Sequence, residues 1–411
     1  MASLAVAVIG AGPIGLEAAL EAVSRGFSVC LYDSGRVGEH LRRYHHVNLF
    51  TPFAMNSTHL GRERLRSAGA ILPKEDALLT AGELVDRYLE PLARLPELAS
   101  AVRSGERVTH VGRQDLRKTD AVEEPSKPQR RERPFILRVA CRGAHRFDSA
   151  DFVIDASGVY GQAKGTGPGG LPAIGEESLG TAVEQHLSSR LVGDDGGYAR
   201  GTTLLLGDGH SAATALVAID ALARSGGVPR VHWVRRVRPV PFPQIPGDSL
   251  PARLELSRAA NEIANGAPWL TQHPGVEVVA YESRDGRVRV TFRDHGAERV
   301  LDVDRVLALV GYRPDVAMTR ELQVHYCYAS EGTMELAAAI LGAGGGGGDC
   351  LAEVAHGPDS LRNPEPGFFV LGAKSYGRNP QFLLSIGHQQ VKDAFELIGE
   401  AQGIAAPALA P

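Results

Sequence analysis

The sequence predicts an α/β protein built from two Rossmann-like domains of three layers each. The first observation is an apolar segment at 4–9 that enters Gly10-Ala-Gly12-Pro-Ile-Gly15 and continues into an Ala-rich stretch. The second is a similar pattern about 200 residues later, where 204–206 enters Gly207-Asp-Gly209-His-Ser-Ala212. Both read as βαβ units, and short alternating segments typical of strands follow each of them.

Composition limits the class of protein. The chain has 411 residues, enough for two to three domains, with 43% hydrophobic and 22% charged residues, as in globular proteins. Lys+Arg 44 against Asp+Glu 48 gives a net charge of −4, which argues against a nucleic-acid partner. The first apolar run is too short to span a membrane and lacks a basic region before it. We therefore expect a cytoplasmic protein without a membrane span.

The first glycine motif has the features of a dinucleotide site. Gly10 allows a tight turn, Gly12 lets the backbone approach a pyrophosphate, and Gly15 lets helix and strand pack closely. The N-terminus of the following helix offers N–H groups and a positive dipole end to phosphates. Asp33 closes the next strand, where a carboxylate accepts hydrogen bonds from ribose hydroxyls.

The second motif differs at its end and at the strand that follows. Ala212 stands where the third glycine would be, a change that close packing tolerates. The next strand ends in Arg235 and Arg236 and lacks an acid, and Arg238 lies close by. Arginine can pair with a 2′-phosphate, so the motif favours NADPH over NADH. The alternative is that these arginines are solvated surface charges.

Two dinucleotide sites in one chain are best explained by a flavin in the first and a nicotinamide in the second. The order GAGPIG, VIDASG, GDGHSA, LALVGYRPD and PGFFVLGAK resembles the two-dinucleotide-binding-domain flavoproteins over about residues 5–400. That superfamily includes pyridine nucleotide–disulfide oxidoreductases and flavin-containing monooxygenases. The resemblance implies a discontinuous FAD domain at 1–175 and 312–411, with an NAD(P)H domain at 176–311 inserted into it.

The resemblance also implies cofactor contacts outside the two turns. The segment with Ser157 and Gly158 looks like the family's ATG-type segment, and Gly311 lies in its counterpart after the nicotinamide domain. Gly372 stands where a late glycine-aspartate pair contacts the flavin, but Ala373 replaces the aspartate. The segment from Gly387 resembles a helix start pointing at the flavin. The expected cofactor-binding residues are Gly10, Gly12, Pro13, Ile14, Gly15, Asp33, Ser157, Gly158, Gly207, Gly209, His210, Ser211, Ala212, Arg235, Arg236, Gly311, Gly372, Ala373 and Gln389.

Cysteine usage separates the branches of this superfamily. The chain has four cysteines and no CxxC, so disulfide chemistry by such a pair is not expected, and no Cys/His spacing indicates a metal site. Some relatives carry a single cysteine inside the first glycine motif, at the position of Ile14 here. Cys327 and Cys350, separated by a glycine run, could form a redox pair or be free structural thiols.

Two further segments bear on the monooxygenase branch. Its fingerprint has only a degenerate match at 180–186, where His186 comes two positions late. The loop at 40–53 is rich in histidine and aromatic residues, as in monooxygenase-like members where such a loop lies against the flavin. It reads equally well as a surface loop anchored by Leu49 and Phe50.

The segment 374–382 supplies candidate catalytic residues. It follows the last strand, and loops at the carboxyl ends of strands lie near the ligand in this architecture. Four functional groups fall in this short stretch, although packing or ion pairing would also explain them. The candidates are Lys374, Tyr376, Arg378 and Asn379.

The expected function is that of an FAD-dependent, NAD(P)H-oxidising enzyme, a single-component monooxygenase that uses O₂ on a small-molecule substrate. One alternative is a flavin reductase of a quinone, a thiol disulfide or a carrier protein. Another is a nucleotide-binding regulatory flavoprotein with little turnover. The oligomeric state is left open by the sequence.

Overall fold

The described residues form two compact units. The computed structural model describes residues 3–120, 129–193, 197–245, 248, 250–342 and 356–402. Unit 1 comprises the described residues of Met1–Arg42, Thr51–Gln162 and Arg313–Pro411, and unit 2 those of Arg43–Phe50 and Ala163–Tyr312. The α/β class with parallel sheets is confirmed. Unit 1 is discontinuous as expected, and unit 2 is discontinuous as well, because Arg43–Phe50 belongs to it.

Unit 1 has a five-stranded parallel sheet and a three-stranded antiparallel sheet. The strand orders are β16-β7-β1-β2-β3 and β4-β5-β6. The strands, numbered along the chain, are β1 Ala5–Ile9, β2 Ser28–Asp33, β3 Val102–Ser104, β4 Glu106–Arg113, β5 Phe135–Cys141, β6 Ala144–Ala150, β7 Phe152–Asp155 and β16 Phe368–Val370. The helices are α1 Pro13–Ser24, α2 Glu39–Arg42, α3 His59–Ser67, α4 Ala81–Leu84, α5 Glu90–Ala93, α6 Pro96–Ala99, α9 Met334–Gly342 and α10 Leu384–Ala401.

Unit 2 repeats this plan. Its parallel sheet has the order β11-β10-β9-β15-β8 and its antiparallel sheet the order β12-β13-β14. The strands are β8 Val183–Glu184, β9 Thr202–Leu206, β10 Arg230–Arg235, β11 Leu270–Pro274, β12 Glu277–Arg284, β13 Arg287–Asp294, β14 Ala297–Val303 and β15 Arg305–Ala308. The helices are α7 His210–Arg224 and α8 Pro251–Gly266.

Side chains alternate between the two faces of each parallel sheet, which explains the layers. In β9 of unit 2, Leu205 packs with α7 and α8, whereas Leu204 and Leu206 pack against the antiparallel sheet. In unit 1, Ala7 and Ile9 of β1 pack against Leu137 and its neighbours in β4–β6. Each parallel sheet is thus buried on both faces, as its continuous apolar strands indicate.

After the short segment Arg43–Phe50, the chain passes from unit 1 to the main part of unit 2 at 162/163, whereas the sequence predicts the boundary at 175/176. Residues 163–175 belong with unit 2 because polar contacts join them to its antiparallel sheet. Thr166 Oγ1 lies 2.8 Å from the Tyr281 hydroxyl, and the Ile174 N–H donates to the Val279 carbonyl at 2.9 Å. The second junction, at 312/313, lies one residue from the expected 311/312.

One charged segment contains a buried ion pair. Segment 118–134 is rich in proline and charge, a composition that predicts an exposed loop, but Arg130 in it is buried with 1% exposure. Its guanidinium pairs with the Glu365 carboxylate at 2.7 Å, and Arg113 pairs with the same carboxylate at 2.8 Å. Residues 121–128, Cys350 and most of the glycine run after Gly342 lie outside the described residues. No helix in the described residues is long and apolar enough to cross a membrane.

Candidate functional site

The first glycine turn of unit 1 has the backbone that its glycines predict. Gly10 has φ +103°, and a Cβ there would lie 2.6 Å from the Ala156 carbonyl oxygen. A Cβ on Gly15 would lie 1.8 Å from the Gly10 oxygen, so the helix packs directly on the turn. Gly12 caps α1 in extended conformation, and a Cβ there meets nothing within 4 Å. The turn is therefore closed toward the protein and open at Gly12, where a phosphate would approach.

Pro13 and Asp33 shape the two sides of this opening. Pro13 is the first residue of α1, where its fixed φ suits the helix and no N–H is needed. The Asp33 carboxylate accepts hydrogen bonds from the N–H groups of Ala11 and Gly35, both at 2.7 Å. These bonds hold the carboxylate at the mouth of the turn. Its remaining lone pairs can accept from ribose hydroxyls.

A buried ion pair lies at the carboxyl ends of β7 and β16. Lys374 Nζ is 2.6 Å from Asp155 Oδ2, and both side chains are fully buried. Ser157 joins them, because its Oγ accepts from Lys374 Nζ at 3.0 Å and donates to Asp155 Oδ1 at 2.7 Å. The pair fixes the backbone at Ser157. The next residue, Gly158, has φ +71°, and a Cβ there would meet nothing within 4 Å. Lys374 thus has a structural partner beneath the predicted flavin site.

Ile14 fills the space between the first turn and the start of α10. A Cβ on Gly372 would lie 3.3 Å from Ile14 Cγ1, and one on Gly387 would lie 2.5 Å from Ile14 Cδ1. The Gly372 N–H donates to Gln390 Oε1 at 2.8 Å, which ties this turn to α10. Where some relatives carry a cysteine, this chain therefore has an apolar side chain packed against two glycines.

The start of α10 differs from the expectation. The helix begins at Leu384, three residues before Gly387, and its N-cap Leu383 makes no side-chain cap hydrogen bond. Gln389 is half-buried and donates to Asp393 Oδ1 at 2.8 Å. Ala373 lies in a single 3₁₀ turn and is half-buried. No hydrogen bond to a flavin can come from the methyl group of Ala373.

The other candidate catalytic residues lie in a loop that is held by the protein itself. Tyr376 is buried and its ring packs against Phe382 with a centroid distance of 5.6 Å. Nε and Nη2 of Arg378 donate to the Glu331 carboxylate, at 2.8 and 2.9 Å. Asn379 Oδ1 accepts from the Gln381 N–H at 3.0 Å. A catalytic role for these residues stays a prediction, and each already has a structural one.

The second glycine turn, in unit 2, has nearly the same backbone. Gly207 has φ +119°, and a Cβ there would lie 2.3 Å from the Leu309 carbonyl oxygen. Gly209 caps α7 in extended conformation with open space around it. The Trp233 indole N–H donates to the Gly207 carbonyl at 2.7 Å and so fixes the turn on β10. Ala212 is fully buried in α7, so this turn accommodates a methyl group at the position that Gly15 occupies in unit 1.

The remaining predicted contacts of unit 2 surround this turn. His210 and Ser211 begin α7 and are exposed beside Gly209. Gly311 follows β15 with φ +87°, and its carbonyl accepts from the Lys164 N–H at 3.0 Å.

The arginines after β10 divide into two kinds. Arg235 is held by the protein: its Nε donates to Gln272 Oε1 at 2.9 Å and its guanidinium lies 5.5 Å from the Trp233 ring centroid. Arg236 instead reaches back to the glycine turn and binds the Asp208 carboxylate through two hydrogen bonds, at 2.7 and 2.8 Å. Its pKa is raised by this hydrogen bond. Sequence reasoning predicted the arginines and missed Asp208, although it lies inside the motif.

The histidine-rich loop is shared between the units. Residues 43–50 pack with unit 2, where Tyr44 and Val47 contact the apolar cluster around α7 and α8. Phe50 lies edge-on to His210 with a centroid distance of 5.6 Å, beside the second glycine turn. Burial and Arg43 lower the pKa of His186, and burial lowers that of His46. An aromatic side chain of this loop thus lies beside the predicted nicotinamide motif.

The cysteines among the described residues are separate. Cys30, Cys141 and Cys327 are free thiols. Hydrogen bonds from Ser330 and from the Ala329 backbone lower the pKa of Cys327. Cys350 lies outside the described residues, so the two alternatives for it and Cys327, a redox pair or free structural thiols, are not tested. Within the described ranges, no three His, Cys, Asp or Glu side chains are grouped so that they could hold a metal ion.

Solved structures of several flavoproteins are similar to this chain over nearly its whole length. A bacillithiol disulfide reductase from Bacillus cereus aligns over 97% of this chain and 100% of its own, with a TM-score of 0.68 and 18% identity. A cadaverine monooxygenase of desferrioxamine biosynthesis from Erwinia amylovora, bound to FAD, aligns over 100% and 98%, with a TM-score of 0.64 and 13% identity. An ornithine N-hydroxylase from Kutzneria sp. 744 aligns over 98% and 99%, with a TM-score of 0.56 and 16% identity.

The chain has the fold of the two-dinucleotide-binding-domain flavoproteins. The resemblance in the motifs is therefore confirmed for the fold. No protein-family model and no curated protein matches the sequence. Because solved structures of this flavoprotein fold include both a disulfide reductase and monooxygenases, the reaction must be argued from this chain's own residues.

Proposed function

We propose that this chain is an FAD-dependent, NAD(P)H-oxidising oxidoreductase, and more specifically a monooxygenase. The observation that carries the proposal is the pair of glycine turns, each closed toward the protein and open at the N-cap of a helix. A bound flavin supplies hydride acceptance and, once reduced, the activation of O₂. Among the similar solved structures, the Erwinia monooxygenase is bound to FAD, and the Kutzneria hydroxylase to reduced FAD, NADP⁺ and ornithine.

In this proposal unit 1 binds FAD and unit 2 binds NADPH. Gly12 and the first turn of α1 face the flavin pyrophosphate, and Asp33 accepts from the adenosine ribose. Gly209 and α7 take the pyrophosphate of the nicotinamide dinucleotide in the same way. Arg236 is the candidate partner for a 2′-phosphate, because a guanidinium pairs with phosphate through two hydrogen bonds.

Two features support oxygen transfer over disulfide reduction. The sequence has no CxxC, and Ile14 occupies the motif position at which some relatives carry a cysteine. In addition, Ile14 packs on Gly372 and Gly387, which leaves an apolar wall there and helps to exclude water from a flavin. The substrate class favoured by this reading is a small amine, sulfur compound or ketone.

A second candidate function rests on Cys327, a free thiol with a lowered pKa whose side chain is buried at 7% exposure and must open to react. A thiolate at this position could exchange with a small disulfide, with electrons supplied by the reduced flavin. In this alternative the chain reduces a disulfide, quinone or carrier protein and makes no oxygenated product. Cys327→Ser separates the two, since it abolishes disulfide reduction and leaves oxygen transfer unchanged.

Absorption spectroscopy tests the proposal directly. Protein purified with FAD should show a flavin spectrum that bleaches on anaerobic addition of NADPH. Gly12→Val should lose flavin, whereas Gly209→Val should keep it and bleach only with dithionite. Both substitutions add a side chain where a Cβ has open space at negative φ, so the fold tolerates them and the bound ligand does not.

Exposure of the reduced protein to air then tests the reaction class. A monooxygenase consumes one NADPH and one O₂ for each oxygenated amine, sulfur or ketone product. Absence of flavin at saturating FAD would contradict the whole proposal. Turnover of NADPH only with a disulfide or quinone would contradict the monooxygenase assignment and support the alternative.

A further inference from the structure

The second glycine turn contains an acidic side chain that forms ion pairs with two arginines after β10. Asp208 lies between Gly207 and Gly209, and its side chain is only 9% exposed. Both of its carboxylate oxygens accept from Arg236, at 2.7 and 2.8 Å. Arg238 Nε lies 3.5 Å from the same carboxylate. A single carboxylate therefore engages the two arginines that lie nearest to the turn.

These arginines stand where an adenosine ribose would lie. In dinucleotide-binding folds the strand after the glycine-turn helix ends beside the ribose, and residues there read its 2′ substituent. Arg236 and Arg238 directly follow β10, which is that strand. The side chain of Arg236 is 71% exposed, so a ligand has access to it. Arg235, by contrast, is turned to Gln272 and to the Arg236 carbonyl.

A 2′-phosphate and Asp208 cannot both use the same donors fully. On Arg236 the edge formed by Nε and Nη2 binds Asp208. A phosphate that uses this edge must displace the carboxylate, and one that uses the remaining Nη1 and Nη2 hydrogens lies close to its negative charge. The 2′-hydroxyl of NADH carries no charge, and it can donate a hydrogen bond to the same carboxylate.

We propose that Asp208 determines how strongly unit 2 discriminates between NADPH and NADH, by competing with the 2′-phosphate for Arg236 and Arg238. The assignment rests on the proposed function, in which unit 2 binds a nicotinamide dinucleotide. Asp208 is thus a specificity-determining residue inside the glycine turn. Its carboxylate weakens NADPH binding and supports NADH binding, whereas the arginines favour NADPH.

Equilibrium binding to the full-length protein tests this assignment. The flavin of wild type and Asp208→Asn is first reduced with dithionite so that no hydride is transferred, NADPH and NADH are then titrated anaerobically, and nicotinamide fluorescence gives each Kd. We expect Asp208→Asn to tighten NADPH binding roughly tenfold and to leave NADH binding equal or weaker. ADP-ribose with and without a 2′-phosphate provides the same comparison without any electron transfer.

Asp302→Asn is the matched control. Asp302 also forms a two-point pair with an arginine of unit 2, at 2.9 and 3.1 Å to Arg289, but lies in the antiparallel sheet. It removes the same charge, so it should leave the ratio of the two Kd values unchanged. In an Arg236→Ala background, Asp208→Asn should gain much less NADPH affinity, since the contested donors are gone.

The outcomes separate the inference from the proposed function. If wild type binds neither dinucleotide, the proposed function fails and the assignment of Asp208 fails with it. If wild type binds them but Asp208→Asn shifts both Kd values equally, or weakens NADPH, only the assignment is overturned. Should Asp208→Asn fold poorly, Asp208→Ser removes the same charge with a smaller side chain and must show the same selective gain.

Discussion

The two glycine turns have similar backbone conformations but differ in where the acidic residue lies and in what binds it. Gly10 and Gly207 both have positive φ, and each turn packs on the carbonyl of a neighbouring strand end. At the turn of unit 1 the acid is Asp33, at the end of the second strand, and backbone N–H groups bind it. In unit 2 the acid is Asp208, in the turn itself, and Arg236 at the strand end binds it.

This difference teaches which part of the motif is general and which part selects a ligand. The glycines and the helix N-terminus suit any pyrophosphate, because they offer backbone donors and no side chain. The group at the strand end meets the ribose and therefore distinguishes a diol from a phosphate. One architecture used twice in a chain can thus bind two different dinucleotides.

The units also differ in how charges stabilise their antiparallel sheets. In unit 1 the Glu365 carboxylate, fully buried, pairs with Arg113 and Arg130, and it also accepts from the Gln323 N–H at 2.8 Å. In unit 2 the comparable pair of Arg289 and Asp302 is partly exposed, at 30% and 40% of their side-chain surface. A buried charge without its partner is far more costly than an exposed one.

The largest effect is therefore expected from Glu365→Gln. The substitution keeps the side-chain volume but leaves two buried guanidinium groups without a carboxylate. We expect the free energy of unfolding of unit 1 to fall by about 3–5 kcal/mol. Denaturant unfolding measures the loss, and hydrogen exchange should locate it in Glu106–Arg113 and Phe135–Cys141.

Asp302→Asn serves as the counterpart in unit 2 and should leave its unfolding transition unchanged, because exposed ion pairs contribute little. Equal losses from the two substitutions would show that burial does not distinguish the sheets, contrary to this expectation.

The next largest loss of stability is expected at the third position of the glycine motifs, where unit 1 has Gly15 and unit 2 has Ala212. Gly15→Ala places a Cβ 1.8 Å from the Gly10 carbonyl oxygen, so the helix or the turn must shift. Overpacking against backbone of this kind should destabilise unit 1 by roughly 3 kcal/mol. The reverse exchange in unit 2, Ala212→Gly, should cost about 2 kcal/mol, from the helix-propensity difference and the loss of one buried methyl group.

Thermal unfolding of the two variants measures both losses of stability. Flavin retention is measured in addition on Gly15→Ala. A Gly15→Ala protein as stable as wild type would mean that α1 can move away from the turn, and that α1 does not need to pack closely on Gly10.

The sequence was sufficient where local conformation decides the structure. The turns at Gly10 and Gly207, the helices after them and the ends of β2 and β10 follow from glycine conformation, apolar periodicity and helix stops. The start of α10 at Leu384 carries no such signal, because Leu383 before it makes no side-chain cap hydrogen bond.

Contacts between distant residues could not be predicted in this way. Lys374 and Asp155 pair across more than 200 positions, and Arg130 reaches Glu365 across a similar separation. In sequence each of these residues looks like an ordinary solvated charge, since burial depends on the assembled fold. Asp208 was closer to prediction, because an acid inside a glycine turn next to a strand ending in arginines is visible in the sequence.

The smallest of these expected effects concerns histidines whose pKa is lowered by burial. Their surroundings differ between the two units. In unit 1, His388 of α10 is buried, and its Nε2 has no hydrogen-bond partner among the described residues. In unit 2, His232 and His273 share a hydrogen bond of 3.0 Å between their rings. Burial lowers the pKa of all three histidines, and that of His388 falls to about 3, with Lys392 and Arg62 adding to the effect.

A lowered pKa makes the stability of unit 1 sensitive to acid. The unfolded chain takes up the His388 proton near pH 6.5, whereas the folded protein does so only near pH 3. Stability is therefore complete above about pH 6.5 and is lost as the pH falls, by roughly 2 kcal/mol at pH 5. His388→Gln should remove that part of the loss between pH 7 and 5, as measured by denaturant unfolding at both values.

The matched control is His59→Gln, at an exposed position of the same unit, which should keep the wild-type pH dependence. Hydrogen exchange at pH 5 should show the benefit of His388→Gln in unit 1 alone, because His232 and His273 still titrate in unit 2. A pH profile identical to wild type would mean that His388 is hydrated or paired in solution. Its burial would then not be a difference between the two units.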